Sequence, residues 1–406
     1  MTYPMLNNVM VIFATIVALL IVFSPKMMQS RTWRATVTPL ASIIGSGFLI
    51  LGPILGRDYG IYATVVMVGL CAASYSIGAA IRFNIMEYDR VRSRQVPKSI
   101  QMLEKIASWA LVIAYVISVA YYLNLFGAFA VKLTPVDTEN AGRLVSSGAL
   151  LFIGVFGYMR GLSAMERMEE VAVGLKLAII VGLLVGLAAY AFELEQSTGL
   201  HVSQSHSFGL RNVAVALGLI ITVQGFETSR YLGDEYTAEM RVKTMKYAQW
   251  IAAIIYIVYI ALVSVSFLPD QVESSETAII DMTQIVAPLL PTLLVLAALA
   301  AQFSAAVADT SGSGGLASEL SRKRIKPNVA YAILVVGAIA ITWFSNIYEI
   351  ISYASRAFAV YYFLQVIIAL RFALNHDKRN WTQITFFILV AVFALSAAIL
   401  GIPAEG

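Results

Sequence analysis

Charge is scarce in this sequence. Only 13% of its residues are Asp, Glu, Lys or Arg, where a soluble domain carries about 25%. Cys71 is the single cysteine, so no disulfide forms within the chain. Three histidines are present, and no His-Glu-x-x-His or Cys-x-x-Cys spacing accompanies them. His201 and His206 are five apart in one loop, a weak metal spacing, and His376 lies in another. No Gly-x-Ser-x-Gly elbow occurs, and Gly45-Ser46-Gly47 has no nearby histidine. These absences argue against a metal centre, a resident cofactor and an enzyme. What fills the chain instead is apolar: 59% of residues are hydrophobic and the mean hydropathy is +0.78. That leaves too little polar surface to cover a soluble globule.

A bilayer-spanning helix takes roughly 20 mostly apolar residues. Twelve runs meet that need, at about 5–24, 35–56, 60–82, 106–131, 143–159, 171–192, 211–232, 246–268, 286–317, 328–345, 347–371 and 381–401. The runs are continuous and not alternating, which excludes a β-barrel. The expected fold is an all-α polytopic membrane protein in contact with lipid. The first run, Met5 to Ser24, lacks a basic leader and a small-residue cleavage site, and reads as a retained helix.

The formal charge of +4 is a topology signal and points to no nucleic acid. With loops assigned to alternating sides, one side holds 22 of the 28 basic residues, among them Arg82, Arg90, Arg92, Arg94, Arg230, Arg241 and the Arg322–Lys326 cluster. The other side holds Arg57, Lys132, Arg143 and Arg211, while Lys176 and Arg356 lie inside apolar runs. The positive-inside rule puts the rich side in the cytoplasm and both termini outside a cytoplasmic membrane. The outer loop 269–283 carries Asp270, Glu273, Glu276 and Asp281 and no base. Segment 84–104 is too polar to span. It reads as a cytoplasmic loop, either with an amphipathic helix on the membrane surface or plainly solvated.

Two runs are interrupted at mid-length. The second contains Ala41-Ser42-Ile43-Ile44-Gly45-Ser46-Gly47-Phe48, and the seventh contains Thr222-Val223-Gln224-Gly225-Phe226-Glu227. Glycine costs about 1 kcal/mol relative to alanine inside a helix. Unwound backbone at membrane depth survives only where protein or a water-filled cavity satisfies it. Such a break offers N–H groups from one half-helix to a carboxylate and C=O groups from the other to a cation. The two interrupted runs are five spans apart, so they cross in opposite senses, as halves of an inverted repeat do. The expected domains are a peripheral helix in 1–34, a first repeat at 35–192, a second at 211–372 and a peripheral helix at 381–401. The competing role for the glycines is close helix packing of the small-xxx-small kind.

Three stretches carry a resemblance. IIGSGFLILGPIL is similar to the first core helix of the amino acid–polyamine–organocation (APC) transporter superfamily, and QGFETSRYLGDE resembles its sixth. Gly161-Leu162-Ser163, followed by Glu170 to Lys176, resembles the entry to its fifth. The resemblance covers about 35–372 and implies the leucine-transporter fold, alternating access and an amino acid or amine substrate. An extra helix before the core, one helix after it where two are usual, and a missing proline after the acidic motif depart from the pattern.

That resemblance assigns expected roles. Ser42, Gly45, Ser46 and Gly47 form a nest for the substrate carboxylate. Gln224, Gly225 and Phe226 face it, their carbonyls taking the ammonium and Phe226 forming a wall. Glu227 gates, or holds the two breaks together by accepting free N–H groups, or caps a half-helix; an ionisable group at that depth is expected to be functional. Lys176 lies about two turns into its span. In related permeases a lysine there occupies the place sodium holds in sodium-coupled relatives, which implies sodium independence and a proton carrier. Snorkelling is its bland alternative. Asp309, roughly 20 Å below Arg322, is the expected partner of Lys176, with Arg356 as another member of one charge set. Thr310 and Ser311 lie where sodium-coupled relatives place a hydroxyl pair, and so pull toward sodium. Tyr121, Tyr122, Phe303, Tyr353 and Phe358 are possible lining aromatics or plain core. Ser313, Gly314 and Gly315 would let their helix approach a neighbour closely.

The reading is a secondary transporter of a small amino acid, proton-coupled or an exchanger. Sodium-coupled transport of another amine or organic acid, and a solute sensor that does not transport, are the alternatives. A channel would want a repeated filter, and a metal carrier would want acidic or Met ligands where the first break offers only Ser46.

Overall fold

The computed structural model describes residues 3–45, 47–91, 96–160, 163–197, 199, 209–233, 235–268, 275–376 and 379–404. Among these there are helices and no strands. In chain order they are α1 (Tyr3–Val22), α2 (Pro25–Met28), α3 (Arg31–Ile43), α4 (Gly47–Tyr59), α5 (Ala63–Arg90), α6 (Lys98–Lys132), α7 (Glu139–Arg160) and α8 (Ser163–Ser197). Then follow α9 (Leu210–Gly218), α10 (Ala238–Ser266), α11 (Ala278–Val286), α12 (Leu290–Leu320), α13 (Pro327–Phe344), α14 (Ile347–Leu374) and α15 (Trp381–Leu400). Short 3-10 segments occupy Gly60–Tyr62, Ile220–Val223 and Phe226–Tyr231.

Ten helical stretches among the described residues are long and apolar enough to cross a membrane. One of them, Gly47–Arg90, has 44 residues, about 66 Å of helix and enough for two crossings. Gly60, at φ +49°, turns the chain between its two parts, α4 and α5. The halves α3 and α9 are too short to span alone. Counting 31–59 and 210–231 as one interrupted crossing each reconciles ten long stretches with twelve apolar runs.

Polar caps set several starts. The Ser30 hydroxyl accepts from the Trp33 amide at 3.2 Å to open α3. Asn346 and Glu349 make a reciprocal capping box at α14, with bonds of 2.9 and 3.0 Å. The interior is built on α6, which packs along both α12 and α14, while α10 packs along α5 and α3. Of the apolar window of α6, 61% is buried, against 22% for α1. α1 is accordingly peripheral and leans on α8 through glycines: an added Cβ on Gly182 would stand 2.2 Å from Thr15 Oγ1. Gly314 admits Tyr331 of α13 in the same way, whereas Gly315 faces open space.

Segment 84–104 is corrected by the structure. Its polar residues extend α5 to Arg90 and start α6 at Lys98, with no separate surface helix among the described residues. Two of them pair across the bundle: Glu104 meets Arg230 at 2.7 Å, and Asn84 is fully buried on Gln365; Arg90, Lys98, Ser99 and Gln101 are exposed.

Candidate functional site

The two breaks touch backbone to backbone. Gly225 has φ +117°, a conformation L side chains rarely adopt. A Cβ there would lie 2.5 Å from the Ser42 carbonyl carbon and 2.8 Å from the Ile43 amide nitrogen. From the other side, a Cβ on Gly47 would lie 2.9 Å from Thr222 Cβ and 2.9 Å from the Tyr121 hydroxyl. Gly45 is roomier, with Tyr122 Cε1 at 3.5 Å. The glycines are thus required where the breaks meet, beyond any packing of whole helices.

Unwinding strands backbone groups in a dry interior, and each must find a partner. On the first break, the Lys176 ammonium donates to the Ala41 carbonyl at 3.0 Å and to the Ile44 carbonyl. It therefore sits on the C-terminal end of the half-helix α3, where the helix dipole is negative. Within α4, the Leu49 carbonyl, left open because Pro53 has no N–H, accepts from Tyr259 at 3.2 Å. On the second break, the Gly225 amide donates to Glu227 Oε2 at 3.1 Å. Ser74 donates to Val223 O at 2.8 Å. Ser355 accepts from the Ile221 amide at 3.1 Å and donates to Gly218 O at 2.6 Å. One hydroxyl joins both breaks: Tyr256 Oη lies 2.8 Å from Ile43 O and 2.7 Å from Thr222 O.

Phe226 and Glu227 are buried, and Phe226 stacks on Tyr362 with ring centroids 5.3 Å apart. The Tyr362 hydroxyl lies 2.7 Å from Gln224 Oε1 and 2.9 Å from Glu227 Oε2. It holds the pair as a unit, donating to one oxygen at a time. Asp309 is buried on α12 and accepts from the Ser118 hydroxyl of α6. Thr310 turns its hydroxyl back to Ala306 O of its own helix at 2.6 Å. Ser311 is on the next position of the same helix, half-buried. Ser42 and Lys176 line one small cavity with Ala301, Ser304 and Ala308 of α12.

Arg356 does not join this set. Its guanidinium donates to Gly401 O at 2.8 Å and reaches Ile399 O at 3.5 Å, capping α15. The expectation of a three-member charge set is corrected on that ground: the carbonyls left open at a helix C-terminus offer a cation a ready partner. Of the lining aromatics, Tyr121, Tyr122 and Phe358 are buried around the breaks; Phe303 packs on Phe126 and Phe152, and Tyr353 is exposed. Ser46, Gly161, Leu162, His201, His206, Asp234, Asp270 and Glu273 lie outside the described residues.

A family model described as an APC superfamily transporter matches residues 25–401. The chain belongs to the APC superfamily. An uncharacterized protein of Aquifex aeolicus (strain VF5) is 39% identical over 405 residues, 98% of each chain.

Two further regions of this APC transporter flank the breaks. At its arginine-rich end, Arg230 follows the second break. It pairs with Glu104 of α6 at 2.7 Å, donates to Gln365 of α14 and lies 5.1 Å over the ring of Tyr88 of α5. Tyr88 also reaches Glu104 at 3.3 Å, and Arg241 of α10 donates to Arg230 O at 2.8 Å. At the opposite end is a cavity of about 720 Å³ lined by Asn124, Lys132, Arg143, Glu276, Tyr348 and Ala404 among others. Lys132 pairs there with Asp281 at 2.8 Å and Arg143 with Glu139 at 2.6 Å. Burial, with help from Glu139 and Asp137, raises the Glu276 carboxyl above its ordinary range, against the pull of Lys132.

Sequence reasoning missed Tyr256, Tyr362, Ser74, Ser355 and the Arg230–Glu104 pair. A tyrosine at a given depth looks the same in a sequence whether it fills core or bridges two carbonyls. Glu104 carried a signal in hindsight: it is a lone acid among the bases of the segment entering α6.

Proposed function

We propose that this transporter carries a small amino acid by alternating access, with the substrate held between the two breaks and without sodium. The observation that carries the reading is Lys176 on the carbonyls of Ala41 and Ile44. Those are the oxygens a bound cation would use, and an ammonium of the protein already takes them. A fixed positive charge there repels sodium by Coulomb's law at short range. Coupling then falls to a proton carried by Lys176 or by the buried Asp309, which accepts from Ser118, or to counter-exchange of a second substrate molecule.

The first amides of α4 have no carbonyl partner within their own helix, which suits the substrate carboxylate. The substrate ammonium goes to the carbonyls around Gln224 and Phe226, walled by Phe226. The positive-inside rule makes the Arg230 end cytoplasmic. The Arg230–Glu104 pair then closes the inner exit while the 720 Å³ cavity opens outward. The order 31–197 and 210–374, each beginning with a broken helix, supports a five-plus-five inverted repeat.

Uptake of labelled amino acids into proteoliposomes tests this reading. Expected is accumulation driven by an inward proton gradient, or uptake that needs internal substrate, and no response to a sodium gradient. Uptake of no amino acid under any condition overturns the substrate assignment; a sodium requirement overturns the role of Lys176.

A further inference from the structure

Behind the breaks, on the lipid-facing side, α5 and α10 leave an apolar crevice of about 400 Å³. The two helices are in tight contact below it: a Cβ added to Gly78 would stand 2.5 Å from Gln249 Nε2. Above that contact they are separated by the crevice, whose walls are Val68, Cys71 and Ala72 of α5 and Trp250, Ala253 and Ile257 of α10. Its floor is Ile43, Val223 and Tyr256, the back of the two breaks. Val68 and Trp250 at the mouth are 46% and 57% exposed, and Ile254 beside them is 59% exposed. The opening therefore faces whatever surrounds the bundle.

Three observations decide what fills it. First, Ser74, Gln249 and Tyr256 on its wall turn their polar groups into the protein. Ser74 Oγ is spent on Val223 O, and Gln249 on Arg82 and Ser74 O. Tyr256 is spent on Ile43 O and Thr222 O. A resident water needs two to four polar partners, and these three offer it none, which favours an apolar occupant. Second, residues 249–257 form the middle third of the 29-residue α10. At that depth the surrounding phase is hydrocarbon. Third, a dry void forfeits the dispersion contacts of its lining, and the volume lies in the range of about 300–1,000 Å³ typical of ligand sites. We infer that this crevice is a binding site for one acyl chain of a membrane lipid, inserted sideways between α5 and α10 until it meets Ile43 and Val223.

The test uses the full-length protein in proteoliposomes containing a phospholipid with a diazirine midway along one acyl chain. After irradiation, crosslinked peptides are mapped by mass spectrometry. Label on 68–75 and 249–257 is expected to exceed that on the lipid-facing surface of α7 (Leu144, Leu151 and Val155, all exposed) by at least threefold. Ala253→Phe, which fills the crevice, is expected to remove this excess, and so is Ala72→Leu, a milder filling at the mouth. Ile254→Phe, on the outer surface of the same helix, is expected to leave the excess in place. Equal labelling of the crevice and α7 overturns the proposal. So does an excess that persists in both filled variants while the α7 signal is unchanged.

Discussion

The two broken segments solve one problem in opposite ways. In the first, α3 ends on carbonyls at Ala41 and Ile44, and a cation from a different helix, Lys176 of α8, covers them. In the second, the amide of Gly225 is covered by a carboxyl oxygen two residues on in the same segment, Glu227. One break is capped by a charge carried on α8; at the other the Gly225 amide is capped within its own segment, while hydroxyls of α5, α10 and α14 (Ser74, Tyr256 and Ser355) take the remaining backbone groups. The contrast teaches where coupling belongs. Under the proposed function, the break covered by a neighbouring helix is the one to sense a change of charge there, and the other is the one to respond to substrate.

The largest effect expected is from Gly225→Ala, because positive φ and a backbone contact coincide. Strain and overpacking together amount to about 3 kcal/mol or more, visible as a large fall in melting temperature and loss of uptake. Gly45→Ala, whose Cβ would meet Ser42 O and Tyr122 only at ordinary contact distance of 3.4 and 3.5 Å, is expected to fold normally, and equal damage from both would break the claim that the breaks meet at Gly225. Next is Lys176→Met, which leaves two carbonyls without a donor at a cost of about 1–3 kcal/mol. Uptake measured against pH and sodium should show coupling lost more than substrate binding. Glu227→Ala comes third, with a similar stability loss, whereas Glu227→Gln keeps an oxygen for the Gly225 amide and should recover most of it. If Gln is as damaging as Ala in thermal unfolding, the carboxylate acts by charge and the self-capping account fails. Tyr256→Phe should cost about 1 kcal/mol and speed interconversion, read by exchange rates. The smallest effect is Arg356→Gln, about 0.3–1 kcal/mol from a lost helix C-terminal cation, with coupling unchanged; a coupling change would restore it to the charge set.

Much of this was legible in the order of residues, for reasons the residues themselves supply. Gly45, Gly47 and Gly225 interrupt apolar runs, and that interruption has few physical causes in a bilayer. Lys176 stands out because a lone ammonium in lipid demands a partner, although its partner turned out to include backbone carbonyls, which leave no mark in a sequence. Arg356 looked alike by the same logic and went elsewhere, to the end of α15, because depth along a helix says nothing of the face it occupies. Segment 84–104 misled in part: Arg90, Lys98 and Gln101 are exposed as their polarity suggests, but Asn84 and Glu104 pair with Gln365 and Arg230 across long sequence separations. The tyrosine bridges were invisible for want of any local pattern.

The central claim is that an ammonium of the protein occupies the cation position at the end of α3. It is tested most directly by comparing wild type with Lys176→Met in proteoliposomes, measuring amino acid uptake with and without sodium on the outside. The account predicts that wild-type uptake is indifferent to sodium and that the variant loses its proton or exchange coupling while still binding substrate. Wild-type uptake that requires sodium, or a variant with unaltered coupling, would contradict it.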